Sequence, residues 1–379
     1  MLREENFPIR FPVSTTDTNG YELFCSHAIG GQVNLDNSRS PRPGATFGVG
    51  SLPHRSVSAA LDFVWRSTDV VTIPSLPRRS PAEGMIAQAL VGIEGVSVGQ
   101  YGGISVDVSS LDIDQFITTD LNSDAYGSFL AFLETFPVRN PGIHTVKWQF
   151  VGPVTLGIAL VRIGLEPRIA FPLALQAVRS HVSALQEEVA RVCNGVTQII
   201  MLDEPSMSEA LEPGFSISTE EVIDYISGAL AAVTSGNISG LHCCGRTDWG
   251  AMLATGANVL SVPVPSPSRA EEMGEMLVAA SRISDHLDHG GRIAWGAVRT
   301  DGPIAISAER PWKSLMEVMC ALVKAGVDPL LVRRMSYITP ACGLGSHTDG
   351  VAERVFSHVR NVSMKVGEQA TASRLTLGS

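Results

Sequence analysis

The chain has 379 residues, 44% of them hydrophobic and 17% charged, which is enough apolar material for a large buried core and excludes a disordered or fibrous chain. A net charge of −10 and a pI near 5.4 give no basis for binding nucleic acid or an anionic membrane. No apolar run approaches the roughly 20 residues a membrane helix requires.

The N-terminus, MLREENFPIRFPVSTTDTNG, carries acidic residues and no apolar core, so it does not read as a secretory signal. Six cysteines are scattered at positions 25, 193, 243, 244, 320 and 342. That is too sparse for a secreted disulfide framework, and a cytoplasmic location is expected, with the thiols either buried or bound to metal. Residues 1–43 are polar, rich in Ser, Asn, Gly and Pro, and read as an N-terminal extension. Residues 44–379 read as one catalytic domain.

From residue 44 short apolar runs alternate with amphipathic stretches of helical length. The pattern predicts strands near 45–51, 69–75, 145–151, 197–203, 238–243, 257–263, 291–297 and 333–339. It predicts helices over 56–66, 82–93, 168–193, 219–234, 269–287, 311–325 and 348–362. The strand runs are apolar throughout, as strands covered on both faces are. Eight strands with intervening helices predict an α/β fold of the TIM type, a (β/α)8 barrel; a doubly wound open sheet is the rival. Residues 96–140 break the rhythm with Gly102-Gly103 and alternating Val, Ser and Asp, which predicts an inserted hairpin after the second strand.

The chemistry-bearing residues cluster where strands should end: Gly50-Ser51, Asp203-Glu204, His242-Cys243-Cys244 and Pro340-Ala341-Cys342. In a TIM barrel those ends face the active site. Residues at i and i+2 of a strand point the same way, so His242 and Cys244 can reach one ion while Cys243 points away. Cys342 sits at the end of the last predicted strand. One imidazole and two thiolates suit zinc and leave a position open. The spacing alone equally describes a buried histidine beside ordinary core cysteines.

Asp203-Glu204 reads either as functional carboxylates or as a pair at a helix N-terminus, and Gly50 by itself is a tight turn. His54 is a candidate catalytic proton carrier, with a plain loop histidine as the alternative. Arg78-Arg79 can hold a carboxylate or be a solvated pair.

Five segments, in order, resemble the C-terminal catalytic barrel of cobalamin-independent methionine synthase, most closely its short single-barrel relatives. They are GVGSLPH (48–54), GPVTL (152–156), LDEPSM (202–207), LHCC (241–244) and TPACGL (339–344), spread over about 300 residues. The resemblance implies a TIM barrel of the uroporphyrinogen decarboxylase and methionine synthase superfamily, with zinc held by His242, Cys244 and Cys342. It implies that Val49, Gly50 and Ser51 hold an amino acid substrate and that Asp203 contacts its amino group. The implied reaction is methyl transfer to a small thiol such as homocysteine, in methionine biosynthesis.

The chain departs from the family in three places. No acid stands in NVLSVPVPSPS (258–268), where the long synthases supply a Glu to zinc. The Trp that follows GPVT in the family is replaced by LGIALVRIG. No His stands in GAVRTDG (296–302). The three losses fall on the methyl-donor side and argue against methyltetrahydrofolate, so the resemblance implies a methylated corrinoid, a corrinoid protein or another small electrophile as donor. The alternatives are a zinc-dependent thiol alkyltransferase that takes an epoxide or serves coenzyme M, and a non-catalytic homologue. Porphyrin decarboxylation, known on the related barrel, would leave the HxC pair and Cys342 without a purpose.

Overall fold

The structure, a computed structural model, describes residues 41–99, 102–107, 109–112, 115–139, 142–246, 248–265 and 270–376. The N-terminal extension, up to residue 40, lies outside the described residues.

Seven parallel strands form one sheet: β1 (Val71–Thr72), β4 (Thr145–Val151), β5 (Thr197–Asp203), β6 (Ile238–His242), β7 (Val259–Pro263), β8 (Arg292–Val298) and β9 (Ser336–Pro340), adjacent in that order. The expected insertion is present as an antiparallel hairpin of β2 (Val96–Val98) and β3 (Ile104–Val106). Helices α1 (Val57–Ser67), α2 (Met85–Ala89), α3 (Gly127–Arg139), α4 (Pro153–Arg162), α5 (Pro167–Val192), α6 (Met207–Ala210), α7 (Thr219–Leu230), α8 (Trp249–Ala254), α9 (Ala270–Val278), α10 (Ala280–Asp288), α11 (Glu309–Lys324), α12 (Pro329–Arg334) and α13 (Asp349–Thr376) fill the connections.

Strand alternation divides the buried apolar residues between two clusters. Ile200 and Leu202 of β5, Leu241 of β6 and Ile338 of β9 pack outward with helix residues such as Val178, Ile226 and Leu322. Ile199 and Met201 turn the other way and meet Ala45, Phe47, Val70, Val259, Ala294 and Tyr337. Those residues come from both edges of the sheet, and the rings of Phe47 and Tyr337 are 5.3 Å apart. Edges can meet in one cluster only if the sheet curls, which is the arrangement of a TIM-like barrel.

The predicted first strand, 45–51, lies between the two edges without becoming a regular eighth strand. Ile338 N donates to Ala45 O (3.0 Å) on one side, and Val70 N to Thr46 O (2.9 Å) on the other. Only isolated bridges form, Thr46 with Ile338 and Ser51 with Ser75. The reason is that side-chain oxygens take over the ladder. Asp69 Oδ2 accepts from Thr46 N and from Thr46 Oγ1, and Thr72 Oγ1 accepts from Gly48 N, each at 2.9 Å.

Other boundaries differ for similar non-local reasons. Helix α4 is absent from the sequence prediction because its N-terminal amides are capped from fifty residues away: Glu204 accepts from Val154 N (2.8 Å) and Thr155 N (2.7 Å). The expected helix 82–93 shrinks to a turn at Pro81–Glu83 followed by α2. The helix predicted over 269–287 is two, α9 and α10, and residues 333–334 belong to α12, capped by Asp328, rather than to β9.

His181 of α5 is fully buried, its Nδ1 2.8 Å from Thr119 Oγ1 beside the insertion. Burial pulls its pKa down to about 4. A histidine depressed by folding stabilises the protein above its unfolded value of 6.5, and that contribution is lost as pH falls toward 4, by ~3 kcal/mol. Urea denaturation at pH 7 and pH 4 should show a stability loss in the wild type that His181→Phe reduces by about that amount.

Candidate metal centre

His242 ends β6 with its imidazole on the inner face, 4% exposed. Cys243, next in sequence, points outward into the apolar cluster, and Cys244 returns to the inner side. Cys342 leaves the end of β9, where Ala341 N donates to Val298 O (2.9 Å) and ties the turn to β8. One ring nitrogen of His242 and the sulfurs of Cys244 and Cys342 all lie within 4.8 Å of one another. Zinc held at ~2.3 Å by sulfur and ~2.1 Å by nitrogen spaces its ligands roughly 3.5–4 Å apart, so these atoms fit one ion.

Parallel register decides which nitrogen is available. His242 pairs with Ser261 on β7, and His242 Nδ1 is 3.0 Å from Ser261 Oγ. Nε2 is buried with no hydrogen-bond partner among the described residues. A buried, unpartnered imidazole nitrogen facing two thiols is the arrangement of a metal ligand whose tautomer is fixed by its other nitrogen. The two thiols oppose each other. Cys342 is lowered chiefly by a hydrogen bond from Cys244, and Cys244 is raised by the same contact. A divalent cation removes that conflict by favouring both thiolates.

The two neighbouring carboxylates divide their roles. Glu204 is the α4 cap described above, its pKa pushed up to about 7 by burial. Asp203, paired in register with His242, is raised to about 6 by burial, against the opposing influence of His242 and Lys147. Its Oδ1 has no partner among the described residues. Lys147 of β4 is fully buried. It donates to Val49 O and, at 2.9 Å, to Gln149 Oε1; burial lowers it to about 8 and Asp203 resists that.

The His242, Cys244 and Cys342 cluster and Asp203 border a cavity of about 460 Å3, within the range of small-molecule sites. Val49, Ser51, Asp203, His242, Cys244 and Cys342 all line it. Gly50 lies against its wall with φ of 140°, and a Cβ there would overlap the Gln149 amide, so only glycine serves. Ser51 ties this loop to the Cys342 turn: Leu344 N donates to Ser51 O (2.9 Å) and Gly345 N to Ser51 Oγ (3.4 Å). Arg78 also lines the cavity and donates to His347 O, whereas Arg79 is tied to Glu83 (2.6 Å) and Asp124 (2.8 Å). His54 is buried against Phe63 of α1, ring centroids 5.1 Å apart, and is not among the described residues lining the cavity.

Cys244 also borders a second, smaller cavity of about 120 Å3. That cavity shares Pro265, Arg299 and Asp301 with a cleft of about 830 Å3 at the ends of β7 and β8.

No protein-family model matches the chain, and no curated protein matches it. Among solved structures it is similar to a putative vitamin-B12 independent methionine synthase from Listeria monocytogenes, at 14% identity and a TM-score of 0.44, over 74% of this chain and 77% of that one. No described helix is long and apolar enough to cross a membrane.

Sequence reasoning missed Lys147, Gln149 and Ser261. The first two carried a signal: in TVKWQFV the two polar residues stand at i and i+2, on one face of an otherwise apolar strand. Ser261 carried none, since its role depends on register with β6.

Replacing Ser261 by Ala frees the His242 ring to turn. Zinc affinity, measured by competition with a chromophoric chelator, should fall about 10–100-fold with the fold intact.

Proposed function

We propose that this protein is a zinc-dependent thiol alkyltransferase that moves a methyl group onto a small thiol such as homocysteine. The observation that carries the reading is the meeting of one buried imidazole nitrogen and two sulfurs, from β6 and β9, at the wall of a cavity of about 460 Å3. His242 Nε2, Cys244 and Cys342 would hold the zinc, and three protein ligands leave a fourth position for substrate sulfur. When bound, zinc lowers the pKa of an incoming thiol, so that it is a thiolate nucleophile near neutral pH.

The remaining work falls to the protein. Ser261 keeps the His242 ring in one orientation. Asp203 offers the substrate's amino group a carboxylate oxygen that has no partner among the described residues, and Lys147 favours its ionised form. Val49 and Ser51 border the substrate, while Phe150, Val151 and Pro205 give the cavity apolar walls against the substrate's carbon chain. In-line displacement requires the leaving group to lie opposite the attacking sulfur. A second cavity also borders Cys244 and is the place this reading assigns to the electrophile.

The donor in this reading is a methylated corrinoid, a corrinoid protein or another small electrophile, and the enzyme is a cytoplasmic one of methionine biosynthesis. Segment 45–51 is read as the eighth strand of the barrel, with the site at the strands' C-terminal ends. The His54 ring lies against Phe63, and this reading assigns it no step.

Cys244→Ala and Cys342→Ala should each reduce zinc from about one ion per chain to a small fraction of that, and abolish the spectroscopic signature of thiol binding in cobalt-substituted protein. Full zinc content and unchanged turnover in the double variant would overturn the reading. Asp203→Asn should keep its zinc and raise KM for an amino-acid thiol about 10–100-fold, with a smaller effect on kcat, measured in steady-state assays.

A further inference from the structure

Lys147 and Gln149 stand two residues apart on the inner face of β4. The Lys147 ammonium meets Gln149 Oε1 at 2.9 Å and also donates to the Val49 carbonyl. An ammonium carries donors only, so the Gln149 atom that faces it is the carbonyl oxygen. Turning the amide over would set N–H against N–H in a buried place, which costs a hydrogen bond and leaves a charged group short of an acceptor. Gln149 Nε2 is therefore directed away from Lys147.

That nitrogen has no hydrogen-bond partner among the described residues, and Gln149 lines the cavity together with Asp203 and Cys342. Gly50 closes one flank of the amide: the space where a Cβ would sit is already filled by Gln149. The result is an N–H donor held in one orientation at the wall of the cavity. Asp203 offers the opposite polarity, an acceptor, on the same wall.

We propose that Gln149 is a specificity-determining residue: its amide N–H takes an oxygen acceptor, carboxylate or carbonyl, of the thiol substrate, and Lys147 is the positioning residue that fixes the amide's orientation. The proposal rests on the reading of the cavity as a thiol site. A donor from β4 and an acceptor from β5 select a substrate that carries both polarities besides its sulfur. Arg78 on the same lining favours the anionic form of the acceptor.

Gln149→Glu is the informative variant. It is isosteric, keeps an oxygen toward Lys147 and replaces the N–H donor with a second acceptor. Zinc-loaded wild type and variant are titrated calorimetrically with 3-mercaptopropionate, its methyl ester and propanethiol, alongside metal content and thermal midpoint. The wild type should bind the two oxygen-bearing thiols about 10–100-fold more tightly than propanethiol. Gln149→Glu should erase that preference while metal content is retained and propanethiol still binds, weakened only by the added negative charge. Lys147→Met, which releases the amide to turn, should weaken the preference by less. Loss with the neutral ester as well as the acid identifies the amide N–H as the donor, whereas loss with the acid alone is what repulsion between two carboxylates produces and overturns the assignment. A wild type that treats the three thiols alike, or a Gln149→Glu variant that keeps the preference, overturns the assignment. A wild type that binds none of them, propanethiol included, overturns the thiol site beneath it.

Discussion

The curl of the parallel sheet is what makes a site out of distant residues. Strands β7 and β8 stand between β6 and β9. Neighbouring strands are ~4.8 Å apart, so a flat sheet would hold the ends of β6 and β9 ~14 Å from each other. The ligand atoms of His242, Cys244 and Cys342 instead lie within 4.8 Å. The triad and the curl are thus one fact seen twice. The same curl brings Phe47 and Val70, near one edge, into the cluster that holds Ala294 and Tyr337 near the other.

A curled sheet must fill its interior, and the filling changes character along the strands. Ile199 and Met201 precede Asp203 on β5, and Val259 precedes Ser261 on β7, so each strand carries apolar residues inward first and polar ones at its C-terminal end. Register turns that change into a row, Asp203 beside His242 beside Ser261. A slip of one residue in β6 would turn His242 outward and Cys243 inward, and the ligand set would vanish. Backbone pairing therefore places Asp203, His242 and Ser261, while Cys244 and Cys342 stand just past the ends of β6 and β9.

Much of this was legible in the sequence, for a physical reason. Strands covered on both faces are apolar runs, and β4, β5, β6 and β8 stood out as such. His242 and Cys244 share a face by the two-residue period, and Cys243 does not. What stayed hidden depends on partners far along the chain. Glu204 caps α4 from β5, which both concealed that helix and left the Asp203-Glu204 pair ambiguous. Asp69 and Thr72 replace backbone carbonyls along 45–51, so a run that reads as a strand pairs only through isolated bridges. His54 shows the opposite limit. Its place after the GSLP loop made it a candidate, yet local sequence does not reveal that the ring turns toward Phe63.

Charge balance explains why Lys147 lies where it does. An uncompensated buried carboxylate costs several kcal/mol, and a nearby opposite charge offsets part of that cost. Asp203 is buried beside two ionisable thiols, and Lys147 is the buried cation that opposes it. Lys147 with Asp203 forms one neutral set, and under the proposed function two thiolates with a divalent cation would form another. A thiolate entering such a site adds a single negative charge to a balanced interior. Alkylation converts that sulfur into a neutral thioether and removes the charge that held it. On this account a site built from two balanced sets binds the anionic substrate more strongly than the neutral product, so the same electrostatics that favour thiolate binding also favour release of the alkylated sulfur.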